Sequence, residues 1–84
     1  MEIKVYTTPS CVQCEMTKKM FTKLGVSFTA IDLSANPEAK AEIVPLGYTS
    51  APVVVAGDQS WAGFRLTSIH GLANQLYGDT HKAV

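Results

Sequence analysis

The chain has 84 residues, of which 46% are hydrophobic, and its seven basic and seven acidic side chains leave no formal net charge. This length suits one small domain with a modest core, so residues 1–84 are expected to form a single domain. The interspersed charges form no basic stripe, and the longest apolar runs are too short to cross a bilayer, which argues against nucleic-acid and membrane partners. Because the opening segment lacks a signal peptide's long apolar stretch, the cytoplasm is the expected compartment.

The first half of the sequence predicts a strand, a helix and a second strand. Residues 2–7 alternate in hydrophobicity, which is typical of a strand, and a proline-containing turn follows. Apolar residues recur at helical spacing over 12–24, and Gly25 is a natural stop. Residues 26–33 form the second predicted strand. The apolar positions of the helix and the second strand that are expected in the core are Met16, Met20, Val26, Phe28 and Ala30.

The middle of the sequence predicts a second helix followed by a hairpin. Asn36 is a suitable N-cap and Pro37 fits the first helical position, so this helix should run to about position 44, where Pro45 ends it. After Pro52 comes a short apolar strand. The next two residues, Gly57-Asp58, are typical of a tight turn into a returning strand.

A last helix follows Arg65 and ends at Gly78, so residues 79–84 are expected to form a frayed tail. The predicted order is therefore β-α-β-α-β-β-α. The first β-α-β unit should be parallel with a right-handed crossover, and the closing hairpin antiparallel. This order predicts an α/β fold with a mixed four-stranded sheet, which alone does not determine an activity. The apolar face of the last helix consists of Leu66, Ile69, Leu72, Ala73 and Leu76.

The two cysteines of the chain lie in the segment Cys11-Val12-Gln13-Cys14. A bridge between them closes too small a loop to restrain the unfolded chain much, so a structural staple is a poor explanation. Cys11 follows a strand and a turn and lies at the start of a helix, where free N–H groups and the helix dipole stabilise an anion. A lowered pKa is expected for its thiol. Cys11 would then attack a target disulfide, and Cys14, one turn further on, would resolve the mixed disulfide.

A metal site is the main alternative use of these cysteines. A structural zinc ion needs four ligands, and the chain adds only His70 and His81, neither at zinc-finger spacing. A metal or iron–sulfur cluster shared between two chains stays open, as does a pair of incidental cysteines. Dithiol chemistry is favoured over all three because of the strand–turn–helix context.

Four segments together carry a family resemblance. They are Cys11-Val12-Gln13-Cys14, Ala51-Pro52-Val53-Val54, Ala56-Gly57-Asp58 and Trp61-Ala62-Gly63-Phe64-Arg65. With these motifs, residues 1 to about 77 resemble the glutaredoxin group of the thioredoxin fold, and most closely the NrdH-type redoxins. The resemblance implies a thioredoxin/glutaredoxin-like fold and a thiol–disulfide oxidoreductase.

The same resemblance implies a route for electrons. They would come from NADPH through the flavoenzyme thioredoxin reductase and pass to the large subunit of class Ib ribonucleotide reductase. The carrier would be a monomer with no bound cofactor, working through a reversible Cys11–Cys14 disulfide. A cis Ala51–Pro52 bond is also implied, and Trp61 should be mostly packed while it fixes the loop that follows. The implied partner-binding residues are Val12, Gln13, Ala51, Pro52, Trp61, Gly63, Phe64 and Arg65.

A glutathione-dependent glutaredoxin is the alternative within the same fold. Typical glutaredoxins have a basic residue where this chain has Thr8, a tyrosine where it has Gln13, and an Asp pair where it has Arg65-Leu66. Without the charged partners, glutathione binding is disfavoured. Two departures from the NrdH-type pattern are also present. Leu66-Thr67 replaces Pro-Asp, which makes Thr67 the candidate cap of the last helix, and Pro45 interrupts a helix that usually runs longer.

Overall fold

The computed structural model describes residues 2–77. Two short 3₁₀ segments are present there, Pro37–Ala39 and Val44–Leu46. The strands and helices in chain order are β1 (Ile3–Thr7), α1 (Val12–Lys23), β2 (Thr29–Asp32), α2 (Lys40–Ile43), β3 (Val53–Ala56), β4 (Gln59–Ala62) and α3 (Leu66–Tyr77).

Within the described residues, the four strands form one mixed sheet in the order β2-β1-β3-β4. The central strand β1 runs parallel to β2 and antiparallel to β3, and β4 returns antiparallel to β3. The predicted topology is therefore confirmed. The tight turn between β3 and β4 is at Gly57, whose φ of 61° is the left-handed conformation that such turns require.

The sheet separates two apolar clusters, because successive side chains of a strand point to opposite faces. On one face, Ile3 and Val5 of β1 pack with Phe21 of α1 and with α3. On the other face, Tyr6 of β1 packs with Ile43 of α2. The helices α1 and α3 thus cover one side of the sheet and α2 the other. This arrangement brings the C-terminal end of β1 to the start of α1, where the cysteines lie.

Three residues expected in the core are exposed instead. Met16 is 42% exposed because the buried stripe of α1 runs through Cys14, Thr17 and Phe21. Ala30 is exposed because β2 is an edge strand whose residues are all exposed or half-buried. Leu66 is 45% exposed because it is the first residue of α3, and the buried stripe of that helix begins at Ile69.

The second predicted helix is shorter and less regular than expected. Its α-helical part covers Lys40–Ile43, and the 3₁₀ segment after it accommodates Pro45 near its start, where a missing N–H costs little. Asn36 was expected to cap this helix, but its side-chain amide instead donates to the backbone carbonyl of Asp32, at 3.1 Å. The sequence pattern was misleading because a local turn after β2 competes for the asparagine.

The last helix begins where the sequence predicts, but its expected cap is wrong. Thr67 lies inside the first turn of α3, after Leu66, so it is not the residue that precedes the helix. The backbone N–H of Ile69 donates to the carbonyl of Arg65 at 3.0 Å, which closes that first turn. The expected stop at Gly78 and the tail over 79–84 lie outside the described residues. Across residues 2–77, no helix is long and apolar enough to cross a membrane.

Candidate dithiol site

The chain reverses direction between β1 and α1 over a few residues. Pro9 opens a turn, and Ser10 adopts a left-handed conformation with φ of 59°, which is uncommon for a residue other than glycine. Cys11 then has extended φ and ψ of −105° and 106° and is the N-cap of α1, which starts at Val12. The predicted placement of Cys11 at the strand–helix junction is confirmed.

Cys11 and Cys14 are joined in a disulfide, with their Cα atoms 5.2 Å apart. The backbone N–H of Cys14 donates to Sγ of Cys11 at 3.1 Å, so this sulfur accepts the hydrogen bond that an oxygen accepts at most helix N-caps. After reduction, the same N–H and the helix dipole would face a Cys11 thiolate. Both interactions favour the anionic form of the sulfur.

The two cysteines differ in their access to solvent. Cys14 is fully buried, whereas Cys11 is half-buried. Cys11 borders an open depression of about 540 Å³ whose other lining residues are Ser10, Val12 and Glu15. A macromolecular disulfide can therefore approach the sulfur of Cys11, while the sulfur of Cys14 is shielded behind it.

Gln13 connects the cysteine segment to the loop after β4. The backbone N–H of Phe64 donates to Oε1 of Gln13 at 3.3 Å. Gly63 has a φ of 83°, and a Cβ atom at this position would lie 3.6 Å from the same Oε1. The N–H of Gly63 in turn donates to the carbonyl of Pro52 at 2.8 Å. These contacts bring three of the segments singled out in the sequence together at one end of the sheet.

The residues around the predicted cis-proline occupy the inner part of this site. The Ala51–Pro52 peptide bond is cis, as predicted. Pro52 is buried and Ala51 half-buried, and the strand β3 starts directly after them.

The remaining predicted partner-binding residues range from buried to exposed. Trp61 is 4% exposed, so it is packed as expected, and it belongs to the core on the α1/α3 face. Its Nε1 has no hydrogen-bond partner within the described part of the chain. Phe64 is half-buried and packs against that core. Val12 and Arg65 are exposed. Direct contact with a partner is therefore open to Val12, Phe64 and Arg65, but not to Trp61.

One residue near the cysteines, Thr17, was missed by the sequence reasoning. Thr17 is fully buried, and its hydroxyl donates to the backbone carbonyl of Gln13 at 2.9 Å. Its position four residues after Gln13, inside a helix, was the available signal. Nearby, the ammonium group of Lys18 pairs with Glu15 at 2.8 Å, and Glu15 lines the depression at Cys11.

Two carboxylates of the described residues have lowered pKa values. The hydroxyl and the backbone N–H of Ser34 donate to Asp32 at the end of β2, and these bonds lower the pKa of the Asp32 carboxyl. The hydroxyl of Tyr6 donates to Glu42 of α2, and this bond lowers the pKa of Glu42 with a smaller contribution from Lys4. Burial and the same hydrogen bond raise the pKa of Tyr6. Neither carboxylate lines the depression at Cys11.

Among residues 2–77, no three histidine, cysteine or acidic side chains are grouped so that they could hold a metal ion. His70 is exposed on α3, and His81 lies outside the described residues.

A reducible cysteine pair at the start of a helix, with one sulfur accessible and the other behind it, is the site of a thiol–disulfide oxidoreductase. Comparison with known proteins agrees with that class. The family model of glutaredoxin matches residues 3–61. The glutaredoxin-like protein NrdH of Escherichia coli is 40% identical over 83 residues, which cover 99% of this chain and 98% of that protein. The NrdH of Lactococcus lactis subsp. cremoris is 31% identical over 71 residues, covering 84% of this chain and 99% of that protein.

Solved structures give the same result. The Escherichia coli NrdH-redoxin, described as having a thioredoxin-like activity profile, superposes with a TM-score of 0.81 at 42% identity, covering 86% of this chain and 95% of that one. A glutaredoxin from Archaeoglobus fulgidus superposes with a TM-score of 0.71 at 28% identity, covering 84% of each chain. This chain belongs to the glutaredoxin family, among its NrdH-type redoxins, and is a thiol–disulfide oxidoreductase.

Proposed function

We propose that this redoxin carries electrons from NADPH-dependent thioredoxin reductase to the active-site disulfide of a class Ib ribonucleotide reductase, as a cytoplasmic monomer. The observation that carries the proposal is the placement of Cys11. Cys11 is half-buried and lines an open depression at the start of α1, and its sulfur accepts a hydrogen bond from the N–H of the buried Cys14. That placement favours a thiolate that a protein disulfide can reach.

In the first step, the thiolate of reduced Cys11 attacks one sulfur of the target disulfide. A bond forms between Cys11 and that sulfur, and the bond within the target breaks, releasing the target's other sulfur as a thiolate. The hydrogen bond from the Cys14 N–H stabilises Cys11 as the attacking anion. It persists toward the same sulfur once the mixed disulfide has formed, because the backbone of α1 holds the donor in place.

In the second step, Cys14 resolves the mixed disulfide. Its thiol passes its proton to the target thiolate released in the first step, and the resulting Cys14 thiolate attacks the sulfur of Cys11. The Cys11–Cys14 bond forms, and the second target sulfur leaves as a thiolate, so two electrons have passed to the target. Thioredoxin reductase then returns two electrons from NADPH, and the pair is reduced again. The fully buried position of Cys14 supports this order, because a bulky target reaches Cys11 first.

Thioredoxin reductase is proposed over glutathione because the charged groups that a glutathione site needs are missing at the corresponding positions. Thr8 stands where a basic residue is usual, and Arg65 stands where an acid is usual. Gln13, in place of a tyrosine, has its side-chain oxygen engaged by the Phe64 N–H. The thioredoxin-like activity profile described for the similar Escherichia coli protein supports the same choice.

The proposed partner surface surrounds the exposed edge of the disulfide. Val12 and Arg65 are exposed there, and Phe64 and Ala51 are half-buried, so these four are proposed to contact the partner directly. The other four predicted partner residues, of which Gln13 is itself exposed, are proposed to hold that surface in place through the contacts described above. They are Gln13, Pro52, Trp61 and Gly63.

The test is a comparison of reductants with one target. Oxidised class Ib ribonucleotide reductase, or insulin as a general protein disulfide, is incubated with the redoxin and either NADPH with thioredoxin reductase or NADPH with glutathione and glutathione reductase. Oxidation of NADPH is followed by absorbance. Sustained turnover with thioredoxin reductase alone supports the proposal. Turnover only with glutathione contradicts it and favours a glutaredoxin, and stoichiometric iron in protein purified without oxygen favours a cluster-binding module.

Two serine variants test the assigned roles in the same assay. Cys11→Ser should abolish turnover. Cys14→Ser should accumulate a mixed disulfide with the target that is visible on a non-reducing gel. If Cys11→Ser turned over while Cys14→Ser did not, the two roles would be reversed.

A further inference from the structure

Thr17 is linked to the sulfur of Cys11 through a single peptide unit. Its hydroxyl donates to the carbonyl oxygen of Gln13 at 2.9 Å. That carbonyl belongs to the Gln13–Cys14 peptide, whose N–H donates to Sγ of Cys11 at 3.1 Å. The three groups therefore form a continuous hydrogen-bond chain from the Thr17 hydroxyl through the peptide to the Cys11 sulfur.

Ordinary helix geometry does not require the bond from the Thr17 hydroxyl. In an α-helix, the carbonyl of Gln13 already faces the backbone N–H four residues on, so the hydroxyl of Thr17 is an additional donor to the same oxygen. Thr17 is fully buried, and a valine has nearly the same shape without a polar atom to satisfy. Replacing Thr17 by valine therefore removes this bond with little change in shape.

The physical consequence lies at the other end of the peptide. A donor on a carbonyl oxygen polarises the peptide and strengthens its N–H as a donor, because neighbouring hydrogen bonds in a chain reinforce one another. The effect matters most when the final acceptor is charged, since charge-assisted hydrogen bonds are about twice as strong as neutral ones. In the reduced protein the final acceptor would be the Cys11 thiolate.

We propose that Thr17 is a positioning residue for the reaction, which orients and strengthens the Cys14 N–H toward the Cys11 sulfur and thereby increases the thiolate fraction of Cys11. This inference rests on the proposed role of Cys11 as the attacking sulfur. Thr17 is a buried residue of α1, so it would not contact the target.

The charged groups near Cys11 are the same with and without the Thr17 hydroxyl. Among the described residues that line the depression, Glu15 carries the one titratable side chain besides Cys11, and Lys18 pairs with it. In the reduced chain the Cys14 thiol is a further titratable group beside the Cys11 sulfur, and it is present in every variant. Glu15 is exposed and Lys18 is half-buried. Arg65, on the loop after β4, is exposed as well. A difference between hydroxyl-bearing and hydroxyl-free variants therefore reports on the hydrogen-bond chain.

The experiment measures the reactivity of Cys11 in the reduced chain without any partner protein. Alkylation by iodoacetamide is followed across a pH series, and the labelled cysteine is identified by peptide mass spectrometry. Thr17→Val should move the midpoint of the Cys11 profile to higher pH and slow alkylation at pH values below that midpoint by roughly 1.5- to 4-fold. Thr17→Ser keeps the hydroxyl and should match the parent.

Two further variants complete the design. Thr22→Val makes the same substitution at an exposed position of α1 and should leave the profile unchanged. Thr17→Ala also lacks the hydroxyl and should behave as Thr17→Val does, so the prediction can still be tested if the valine does not fold. The inference is overturned if hydroxyl-free variants match the parent, or if Thr17→Ser shifts the profile as much as Thr17→Val.

The outcome also separates this inference from the proposed function. If Cys11 of the parent chain titrates as an ordinary thiol, the proposed role of Cys11 fails. If the parent Cys11 is acidic and Thr17→Val leaves it so, only the inference about Thr17 fails.

Discussion

The side-chain oxygen of Gln13 accepts a hydrogen bond from the backbone N–H of Phe64 at 3.3 Å, although the two residues lie 51 positions apart in the chain. Gln13 stands between the two cysteines, and Phe64 lies on the loop after β4. The bond therefore fixes part of the proposed partner surface relative to the reacting sulfur. The bond does not touch the reacting sulfur, so its loss should change KM for a protein target more than kcat.

Replacing Gln13 by methionine should weaken partner binding and leave the dithiol intact. Methionine has a similar length but no oxygen to accept the Phe64 N–H, so the loop loses an anchor worth about 1 kcal/mol, or about fivefold in affinity. We expect KM for the oxidised protein target to rise about fivefold with kcat little changed. Reduction of a small aromatic disulfide, which does not use the loop, should be unaffected.

A glutamine on the exposed side of α3 provides the matched control. Gln75→Met also removes a side-chain hydrogen bond, the one to Gln59, but at the far end of the β4 hairpin from the cysteines. Its KM should equal that of the parent. Faster hydrogen exchange at the Phe64 amide in Gln13→Met, and not in Gln75→Met, would confirm the cause. An unchanged KM in Gln13→Met would show that the loop does not depend on this bond.

Local patterns in the sequence predicted the element order and the position of the dithiol. The alternation in β1, the glycine after α1 and the turn at Gly57-Asp58 each depend on neighbouring residues, so they can be seen without a structure. The junction that holds Cys11 follows from the same local signals. The cis bond before Pro52 came from the family resemblance.

The errors arose where the environment of a residue is set by distant parts of the chain. Met16 and Ala30 are apolar and correctly spaced, but the sequence does not show which side of α1 meets α3 or that β2 is an edge strand. For the same reason, the link from Gln13 to Phe64 was missed. Thr17 was missed because its burial depends on how α1 packs against the sheet.

The hydroxyl of Tyr6 links the central strand to α2 by its bond to Glu42, and its removal should lower stability in a pH-dependent way. Tyr6 is buried, and the bond holds α2 on the sheet. The phenylalanine variant Tyr6→Phe keeps the ring but lacks this bond. We expect a lower free energy of unfolding at neutral pH, measured by urea unfolding with the emission of Trp61, the single tryptophan of the chain.

The difference between the parent and Tyr6→Phe should shrink at both ends of the pH range. The pKa of Glu42 in the folded protein lies below its ordinary value of 4.5, so its contribution is present above that value and is lost as the pH falls through the folded pKa. The pKa of Tyr6 is raised above 10.0, so the neutral hydroxyl's contribution is lost as the pH rises beyond 10.0. Tyr48→Phe is the control, because that hydroxyl bonds the uncharged Ser60 and its loss should show no acid-side change. A difference for Tyr6→Phe that stays constant down to low pH would contradict the argument.

Phe21 is the main aromatic side chain of the core between α1 and the sheet. It is fully buried, and its ring centroid lies 5.7 Å from that of the half-buried Phe28. Phe21→Ala should lower the free energy of unfolding by about 3–5 kcal/mol, because it leaves a cavity that the helix and sheet cannot close. Phe28→Ala removes the same atoms at a partly exposed position and should cost clearly less. Urea unfolding at low temperature measures both variants. Equal decreases in the free energy of unfolding would show that the burial of the ring does not determine the loss of stability.

Ser10 adopts a left-handed backbone conformation directly before the N-cap, with φ of 59°. A β-branched side chain is strained in this conformation, so Ser10→Val should destabilise the fold by roughly 1–2 kcal/mol, whereas Ser10→Gly should not. Because Cys11 is the next residue, the valine should also disturb the bond from the Cys14 N–H to its sulfur and slow alkylation of Cys11.

Ser27→Val separates this backbone effect from the change of side chain. Ser27 is exposed, and Ser10 is the one residue other than glycine with a positive φ in the part of the chain that the structure describes. The control should therefore unfold at the same urea concentration as the parent and keep its Cys11 reactivity. If Ser10→Val matched Ser27→Val in both measurements, the turn before Cys11 would tolerate an ordinary backbone conformation, and the placement of the sulfur would not depend on Ser10.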